Sequence, residues 1–543
     1  MALDNLIDRP WYRFYPEIMN DSPSLPECSV YQLLHDSEKK YGHKVALRFQ
    51  DQRISYKELK DTVDRLASSW HDLGMKKGER IGLMLSNQPM YVYAYYAAQK
   101  LGATVVQINP MYMPREIEEI SHEVGLSYLV TESKYMEKLE IVMKSYSFDQ
   151  LFLTDQNSPV LLPNIHVIER LIKEKAPDQE AVPIQAKDDI AVIQFTGGTT
   201  GKMKGAMLTH YNLVSNVIQS YLMYGSDMKL GEEVTLTATP LYHVYAMTSG
   251  MNLSIYIGAT NIIVPKFDVN DVLRIIRENK PTFFPGVPTM YNAFVNHPKV
   301  KEYGLNCFKF CSSGSAPLPI EVINRFEEIT GAVIGEGFGM SETSPSTHRN
   351  PPFGERKIGS IGIPFPETDC QIVDENGNEL PHKSVGELAI KGPQVMKGYW
   401  NKPEETSASI KNGWLLTGDL ATMDKDGYFY IVGRKKEMII TGGFNVYPQE
   451  IESVLYEHPS VKEAAVIGIP HEYSGERVKA FVVVKDNSIS EEELVTYCYE
   501  HLTRYKVPKQ IEIRDSLPRN TVGKLLKRLL IKEETIQTGR SQV

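Results

Sequence analysis

Short apolar runs alternate with segments of helical periodicity along most of the chain. The run RIGLML is followed by PMYVYAYYAAQKLG and then by a second apolar run, TVVQINP. In the middle segment Tyr91, Tyr95 and Ala98 recur near helical spacing, as in an amphipathic helix. The alternation continues to about residue 430 and predicts an α/β fold with largely parallel sheets.

A second, shorter unit with both helices and strands is predicted after about residue 437. In PQEIESVLYEH, Pro448 occupies a favourable first helical position, and the strand-like runs AAVIGIP and KAFVVVK follow. Ser490 and Glu493 then form a capping box that opens another helix. Because the cationic segment GRKKEM separates the two units, we expect a large domain over residues 1–433 and a small domain over residues 434–543.

One uncharged stretch, residues 244–265, is long enough to cross a bilayer. It also contains Gly250, Gly258, Thr248 and Asn252, which are poorly suited to a lipid-facing helix. We therefore predict a buried helix followed by a strand over residues 261–264.

The composition limits the possible functions and indicates the cellular compartment. The net charge of −9 excludes generic nucleic-acid binding through phosphate neutralisation. The five cysteines are scattered, which argues for a reducing compartment rather than a disulfide framework. The N-terminal segment lacks the apolar core of a signal peptide. We expect a cytoplasmic protein.

The segment QFTGGTTGKMKGAMLTH, residues 194–210, concentrates glycines, threonines and two lysines between apolar runs. Glycines let the backbone approach a ligand closely, and successive backbone N–H groups make an anion-binding nest. Hydroxyl and ammonium groups add donors and positive charge, which favours phosphate. It is not a Walker A loop, because Thr196 and Met203 stand where glycine and serine or threonine are required. A flexible surface loop remains the alternative interpretation.

This segment resembles the phosphate loop of the adenylate-forming superfamily, whose usual form is (Y/F)-T-S-G-T-T-G-x-P-K-G. Gly197 replaces the usual serine, Met203 replaces the usual proline, and Lys204 stands at the phosphate-loop lysine. Further segments are similar to the superfamily's motifs and follow in its order: PLYHVYAM, SSGSAPL, GEGFGMSETSP, NGWLLTGDL, GRKKEM and PRNTVGKLLKR. The resemblance covers nearly the whole chain. It implies an α/β enzyme with a small, mobile C-terminal α+β domain, which activates an acid with ATP and Mg²⁺ and then transfers it to CoA.

The resemblance also implies which residues bind ATP. The phosphates would be held by Thr196, Gly198, Thr199, Thr200, Gly201 and Lys204. The adenine side would be formed by Gly314, Ser315, Ala316, Glu336, Gly337, Phe338, Gly339 and Ser341. Asp419 would accept hydrogen bonds from the ribose hydroxyls, with Arg434 assisting, and Glu342 and Thr200 would bind Mg²⁺.

Catalysis and the second substrate follow from the same resemblance. Lys524 would bridge the substrate carboxylate and the α-phosphate, and it would act with Lys204 and Glu342. The acyl pocket would include His243 and Met247. The small domain would swing about a hinge at Lys436 and bring Gly442, Gly443 and Asn445 to CoA.

Taken one at a time, several of these residues have simpler explanations. Lys524 lies in a basic stretch typical of a solvated surface, and Glu342 could cap a helix. Asp419 could be a turn residue, and His243 a satisfied core histidine.

The stretch NGWLLTGDLATMDKDGYFYIVGRKK resembles the fatty acyl-CoA synthetase signature, with Leu416 where histidine is usual and Gly433 where aspartate is usual. The resemblance implies ligation of medium- to long-chain fatty acids to CoA. Met247 stands where some relatives carry a gating tryptophan, so strict gating is not expected.

Aryl-CoA ligases of the 4-coumarate type, luciferase-type oxygenases, other acid-activating enzymes and a non-enzymatic binding module remain alternatives. An amino-acid-activating enzyme is disfavoured, because PLYHVYA has no acidic residue and no carrier domain is expected in this chain. Peripheral membrane contact stays open, because long-chain acids partition into bilayers, yet no amphipathic anchor is visible.

Overall fold

The computed structural model describes residues 9–17, 24–154, 163–197, 203–352, 354–471, 473–485, 489–520 and 523–538. The α-helices are α1 Val30–Tyr41, α2 Tyr56–Asp72, α3 Pro89–Leu101, α4 Pro114–Val124, α5 Met136–Val142, α6 Ile168–Glu174, α7 His210–Tyr224, α8 Leu253–Tyr256, α9 Val269–Asn279, α10 Pro288–Val295, α11 Ile320–Thr330, α12 Pro403–Ser409, α13 Pro448–Glu457, α14 Glu491–His501 and α15 Lys527–Thr538. Of the predicted phosphate-loop residues, Gly198, Thr199, Thr200 and Gly201 lie outside the described residues.

The strands fall into four sheets. They are β1 Val45–Phe49, β2 Gln52–Ser55, β3 Arg80–Met84, β4 Thr104–Gln107, β5 Tyr128–Thr131, β6 Gln150–Leu153, β7 Ile165–Val167, β8 Ile190–Gly197, β9 Met203–Thr209, β10 Val234–Thr237, β11 Thr260–Ile263, β12 Phe283–Gly286, β13 Phe310–Ser313, β14 Val333–Gly339, β15 Ser346–Arg349, β16 Ile363–Pro364, β17 Asp369–Val373, β18 Gly386–Lys391, β19 Gly398–Tyr399, β20 Ile410–Lys411, β21 Trp414–Met423, β22 Phe429–Arg434, β23 Ile439–Thr441, β24 Phe444–Val446, β25 Val461–His471, β26 Gly475–Val484 and β27 Gln510–Ile513.

The first two sheets carry the predicted α/β alternation. The first has the order β19-β9-β8-β4-β3-β5-β6-β7 and is parallel from β8 to β7. The second has the order β16-β15-β14-β13-β12-β10-β11-β1-β2 and is parallel from β14 to β1. Parallel strands need crossovers, and α3, the helix predicted from PMYVYAYYAAQKLG, is one of them. It is buried along nearly its whole length, so it lies inside the molecule.

The third sheet, β17-β18-β21-β20 with β22 beside β21, is wholly antiparallel. The expectation of largely parallel sheets therefore fails between residues 369 and 434. Short turns join β20 to β21 and β21 to β22, and short turns connect only antiparallel neighbours.

The fourth sheet forms the core of a small C-terminal unit with mixed helices and strands. Its order is β24-β23-β26-β25, and β27 pairs in parallel with β26. Pro448 begins α13, and Ser490 and Glu493 form the predicted capping box of α14. Both local predictions are confirmed.

Residues 244–264 are buried almost throughout, as predicted, and Pro265 is exposed. They form a π-helix, Ala246–Asn252, followed by α8 and β11. Within the part of the chain that the structure describes, no helix is both long and apolar enough to cross a membrane.

Candidate active site

Two residues of the predicted phosphate loop, Thr196 and Lys204, lie on neighbouring antiparallel strands of the first sheet. β8 and β9 pair in register, with Thr196 opposite Lys204. The Nζ atom of Lys204 lies 5.1 Å from the centre of the Tyr399 ring. Tyr399 itself belongs to β19, which pairs with β9 opposite Ala206. The hairpin thus places a lysine beside a buried aromatic ring at the point where the glycine-rich segment returns.

Glu342 lies on a 3₁₀ turn, Ser341–Thr343, that follows β14. The residue is buried, and its Oε1 accepts a hydrogen bond of 2.8 Å from the Tyr399 hydroxyl. Its carbonyl accepts a hydrogen bond of 2.8 Å from the N–H of Met396. The Glu342 carboxylate therefore does not cap a long helix but is held by residues from another part of the chain.

The two predicted adenine segments lie side by side. Gly314, Ser315 and Ala316 follow β13, and β13 pairs in parallel with β14, with Ser313 opposite Glu336. Ser315 has a φ of +72°, which turns the backbone sharply at the strand end. Burial raises the pKa of Glu336 to about 7.

The strand β14 continues through Gly337, Phe338 and Gly339 and turns back into β15. A Cβ atom on Gly339 would lie only 2.2 Å from the carbonyl oxygen of Pro345, so this close backbone contact requires glycine. The Phe338 ring packs edge-on against His348, with ring centres 6.1 Å apart. Ser341 begins the turn that carries Glu342.

Asp419 and Arg434 face each other across β21 and β22. Their side chains form an ion pair of 2.8 Å between Arg434 Nε and Asp419 Oδ1. The second oxygen of Asp419, Oδ2, is buried and has no hydrogen-bond partner among the described residues. Burial raises the pKa of Asp419 to about 6, against the opposing effect of Arg434 and Lys524. An unpartnered buried carboxylate oxygen is costly, so this oxygen fits a ligand that donates hydrogen bonds.

Lys524 reaches the same place from the small C-terminal unit. Its backbone N–H donates to Asn520 Oδ1 at 2.8 Å, in a tight hairpin that Arg519 ties to Glu463 at 2.9 Å. The adjacent Gly523 packs against Thr289 of α10, where an added Cβ would lie 3.6 Å from the Thr289 Cβ. The hairpin therefore touches the large N-terminal part directly.

The charges around Lys524 define a single site. Lys524 is partly exposed to solvent. Desolvation by the surrounding protein atoms nevertheless lowers the pKa of Lys524, and the charge of Arg434 lowers it further. Asp419 and Glu342 are close enough to act in the opposite direction. The structure thus brings Lys524, Asp419, Arg434 and Glu342 together from distant parts of the chain, and this proximity argues against a merely solvated Lys524.

The predicted acyl residues border this site. Burial lowers the pKa of His243 to about 4, and the nearby charge of Lys524 contributes. Met247 is fully buried in the π-helix, and Gln107 Nε2 donates to its Sδ at 3.1 Å. The neighbouring Tyr245 ring lies against Gly314 of the adenine segment. Since π-helical turns often occur at functional sites, this irregularity fits a ligand pocket.

The predicted CoA residues lie elsewhere. Gly442, Gly443 and Asn445 form an exposed hairpin between β23 and β24, and nothing lies within 4 Å of a Cβ built on either glycine. Lys436 is exposed on the 3₁₀ turn Lys435–Glu437, between the third and fourth sheets. Among the described residues, the structure therefore brings together Lys204, Glu342, Asp419, Arg434 and Lys524, and it leaves the predicted CoA residues outside that group.

Sequence reasoning missed Tyr399, a side chain that contacts both Lys204 and Glu342. The segment GPQVMKGYWNKPEET, which contains it, is similar to the corresponding segment of long-chain enzymes. That similarity indicated that the segment belongs to a family motif, but it assigned no role to Tyr399.

Comparison with known proteins agrees with this geometry. A model described as AMP-binding enzyme matches residues 34–400, and one described as AMP-binding enzyme C-terminal domain matches residues 450–524. The chain belongs to the AMP-binding enzyme family. The long-chain-fatty-acid–CoA ligase of Bacillus subtilis (strain 168) is 42% identical to this AMP-binding enzyme, covering 97% of this chain and 98% of that protein.

Two solved structures of one bacterial protein match this AMP-binding enzyme over most of its length. ATP-bound MatB from Rhodopseudomonas palustris is 31% identical, covers 93% of this chain and 98% of its own, and superposes with a TM-score of 0.86. Apo MatB from the same organism, with the same identity and coverage, superposes with a TM-score of 0.76. Both similarities support the mixed α/β fold with a large N-terminal and a smaller C-terminal part.

Proposed function

We propose that this AMP-binding enzyme is a fatty acyl-CoA ligase that converts a medium- to long-chain fatty acid, ATP and CoA into acyl-CoA, AMP and pyrophosphate. One observation supports the activation step: Gly523 packs on Thr289 of the large N-terminal part, and the adjacent Lys524 lies within electrostatic reach of Asp419 and Glu342. The choice of fatty acids rests on the similarity to the Bacillus subtilis ligase over nearly the full length of both chains.

The chemistry needs positive charge at this point. A carboxylate is a poor electrophile. When the carboxylate attacks the α-phosphate of ATP and displaces pyrophosphate, two anions must come together. The resulting mixed anhydride reacts with a thiol, and AMP leaves. A lysine about 4 Å from an anion contributes roughly 4 kcal/mol at an effective dielectric constant near 20. If that interaction formed only in the transition state, it would correspond to about a thousandfold in rate. We propose that Lys524 supplies it.

The residues around Lys524 fit the other parts of ATP. Asp419 Oδ2, buried and without a partner among the described residues, would accept hydrogen bonds from the ribose hydroxyls. Arg434 orients that carboxylate through the ion pair with Oδ1. Lys204 would contact the β- and γ-phosphates from the end of the β8–β9 hairpin.

Glu342 fits a role in binding Mg²⁺. Its Oε1 is held by Tyr399, which leaves Oε2 for a metal ion, and Mg²⁺ prefers one or two carboxylates together with phosphate oxygens. The ion would neutralise phosphate charge during transfer. The predicted second ligand, Thr200, lies outside the described residues.

The acyl chain would enter beside His243 and extend towards Met247. Because the pKa of His243 is lowered to about 4, the imidazole is neutral at physiological pH and can lie near the substrate carboxylate without an ion pair. Met247 is buried and flexible, so the pocket can adapt to chains of different length.

Thioester formation would use a second arrangement of the two domains, 1–433 and 434–543, with Lys436 as the hinge. In the present arrangement Lys524 lies within electrostatic reach of Asp419 and Glu342, whereas Gly442, Gly443 and Asn445 are exposed. The higher TM-score with ATP-bound than with apo MatB supports an ATP-binding arrangement here. Hinge residues absorb such motions by changing a few backbone angles.

AMP release tests the function directly. The enzyme is incubated with ATP, Mg²⁺ and CoA and with acetate, octanoate, palmitate or 4-coumarate. We expect CoA-dependent AMP release with octanoate and palmitate and little with acetate. Turnover only with 4-coumarate would identify an aryl-CoA ligase and contradict the acyl assignment. Absence of turnover with every acid would contradict ligase activity itself.

A further inference from the structure

One short segment connects the two charged residues assigned to the ATP phosphates and Mg²⁺. We call residues 396–400 the bridging segment. The N–H of Met396 donates to the carbonyl of Glu342 at 2.8 Å, which fastens one end to the turn that carries the carboxylate. The N–H of Lys397 donates to the carbonyl of Met207 at 2.9 Å, and that of Trp400 to the carbonyl of Gly205 at 2.8 Å. These two bonds fasten the other end to β9, which begins at the phosphate loop.

The side chain of Tyr399, in the middle of the bridging segment, contacts both charged groups. Its hydroxyl donates to Glu342 Oε1 at 2.8 Å, and Lys204 Nζ lies 5.1 Å from the centre of its ring. Only 8% of Tyr399 is exposed, so neither contact is formed in bulk water. Tyr399 is therefore the shared neighbour of Glu342 and Lys204.

The backbone around Tyr399 is restrained as well. The Tyr399 N–H donates to Thr406 Oγ1 at 2.9 Å. A Cβ atom on Gly398 would lie 2.7 Å from Thr406 Cγ2, so the segment approaches α12 at a distance that requires glycine. These contacts fix the ring relative to both charged groups.

We propose that Tyr399 is a positioning residue, whose hydroxyl orients Glu342 for Mg²⁺ and whose ring holds the Lys204 ammonium group towards the ATP phosphates. The proposal rests on the proposed function, because it takes Glu342 and Lys204 as ligands of Mg²⁺ and phosphate. A hydroxyl that binds one oxygen of a carboxylate restricts its rotation and leaves the second oxygen directed at the metal. A lysine over a desolvated aromatic ring gains a cation–π attraction that favours one position of its amine.

The hydroxyl stays a donor throughout the working pH range. Burial, with a further contribution from the Glu342 carboxylate, raises the pKa of Tyr399. Because the hydroxyl stays protonated, a change of pH does not remove its bond to Glu342. Substitution is therefore needed to separate this bond from the contact between the ring and Lys204.

Two substitutions remove the contacts in turn. Tyr399→Phe removes the bond to Glu342 and keeps the ring under Lys204, whereas Tyr399→Leu removes both. The matched control is Tyr128→Phe, because the buried Tyr128 hydroxyl also donates to a glutamate, Glu79, at 3.2 Å. That pair lies in the first sheet at β5, away from the residues of the site.

The test measures binding of a non-hydrolysable ATP analogue by calorimetry, with and without Mg²⁺. In the wild type, Mg²⁺ should strengthen binding. We expect Tyr399→Phe to reduce that gain by about tenfold, the size expected for a hydrogen bond to a charged group, and to leave binding without Mg²⁺ unchanged. Tyr399→Leu should also weaken binding without Mg²⁺, because Lys204 loses its ring. In turnover, Tyr399→Phe should require more Mg²⁺ for half-maximal rate, with the fatty-acid KM unchanged.

Other outcomes would overturn the proposal. A Tyr399→Phe variant that behaves as Tyr128→Phe does, or that weakens binding equally with and without Mg²⁺, contradicts the positioning role. Thermal unfolding of each variant checks the fold, and if Tyr399→Leu is unfolded, the phenylalanine variant alone decides. A wild-type enzyme that binds the analogue but releases no AMP with any acid would contradict the proposed function, and the Mg²⁺ comparison on Tyr399 would still be readable.

Discussion

At the scale of single residues, the site depends on charges that are partly removed from water. Asp419 shows this best, because one oxygen is paired with Arg434 and the other is buried without a partner among the described residues. Burial raises its pKa to about 6, so the carboxylate is ionised above that pH and protonated below it. Protonation would weaken the ion pair and remove an acceptor, and the charges of Lys524, Glu437 and Glu342 act on the same group.

We therefore expect ATP binding to weaken as the pH falls through about 6. The Asp419→Asn variant should raise the KM for ATP about tenfold, leave the fatty-acid KM unchanged, and lose the inflection near pH 6. The measurement is the pH dependence of kcat/KM for ATP. Asp424→Asn is the control, because Asp424 pairs with Lys357 at 2.6 Å just after β21. An unchanged inflection in Asp419→Asn would assign it to another group.

The charge of Lys524 leads to a second prediction at the scale of single residues. We expect Lys524→Ala to reduce acid-dependent pyrophosphate exchange by about a thousandfold, because the charge between the two anions is lost. CoA-thioester formation from supplied acyl-adenylate should change little, since that step uses the other domain arrangement. Arg528→Ala, an exposed cation near Lys524 in the sequence, is the control. Equal loss in both half-reactions would count against a lysine used in only one of them.

At the scale of elements, close backbone contacts set the position of the site. Strand β14 contains four of the predicted adenine residues, and the turn between β14 and β15 contains Ser341 and Glu342. Gly339 lies where a Cβ would meet the carbonyl oxygen of Pro345 at 2.2 Å. Backbone cannot move aside as the tip of a side chain can, so any larger residue must open the hairpin.

We predict that Gly339→Ala destabilises the protein by about 3 kcal/mol, within the range for overpacked sites, and raises the KM for ATP. Urea unfolding and steady-state kinetics measure the two effects. Gly331→Ala is the matched control: Gly331 has a φ of +72° at the end of α11, but nothing lies within 4 Å of an added Cβ. It should cost about 1 kcal/mol and leave the KM for ATP unchanged. The prediction fails if both variants affect the KM alike.

At the scale of the whole molecule, the small C-terminal unit supplies the lysine that we propose for the ATP site. Lys524 reaches Asp419 and Glu342 from the hairpin beside α15, and Gly523 next to it packs on Thr289 of the large N-terminal part. The hairpin that carries Gly442 and Gly443 remains exposed in this arrangement. One rigid arrangement would therefore serve the first half-reaction only.

A disulfide between the two parts tests this arrangement. An added Cβ at Gly523 lies 3.6 Å from the Cβ of Thr289, within the range of disulfide geometry. In the Thr289→Cys/Gly523→Cys double variant, oxidation should leave pyrophosphate exchange intact and stop thioester formation, and reduction should restore it. The single variants under the same oxidation are the controls. Thioester formation at an undiminished rate in the locked enzyme would contradict the domain motion.

The sequence by itself determined the chemistry and most of the elements. The α/β alternation, α3, the buried stretch at residues 244–265 and the capping box at Ser490 are local patterns, and each is confirmed. The phosphate-loop residues, Asp419, Arg434 and Lys524 could be named because the motifs that contain them resemble those of the adenylate-forming superfamily. Their roles remain predictions.

Only the tertiary structure decided which of these residues meet. Tyr399 and Glu342 are 57 residues apart, and their bond depends on the pairing of β19 with β9. The antiparallel third sheet, the π-helix around Met247 and the exposure of Gly442 and Gly443 likewise follow from strand register and long-range packing. Periodicity and residue type are properties of neighbours in sequence. Proximity between side chains is the sum of many distant contacts, and no single stretch of the chain contains it.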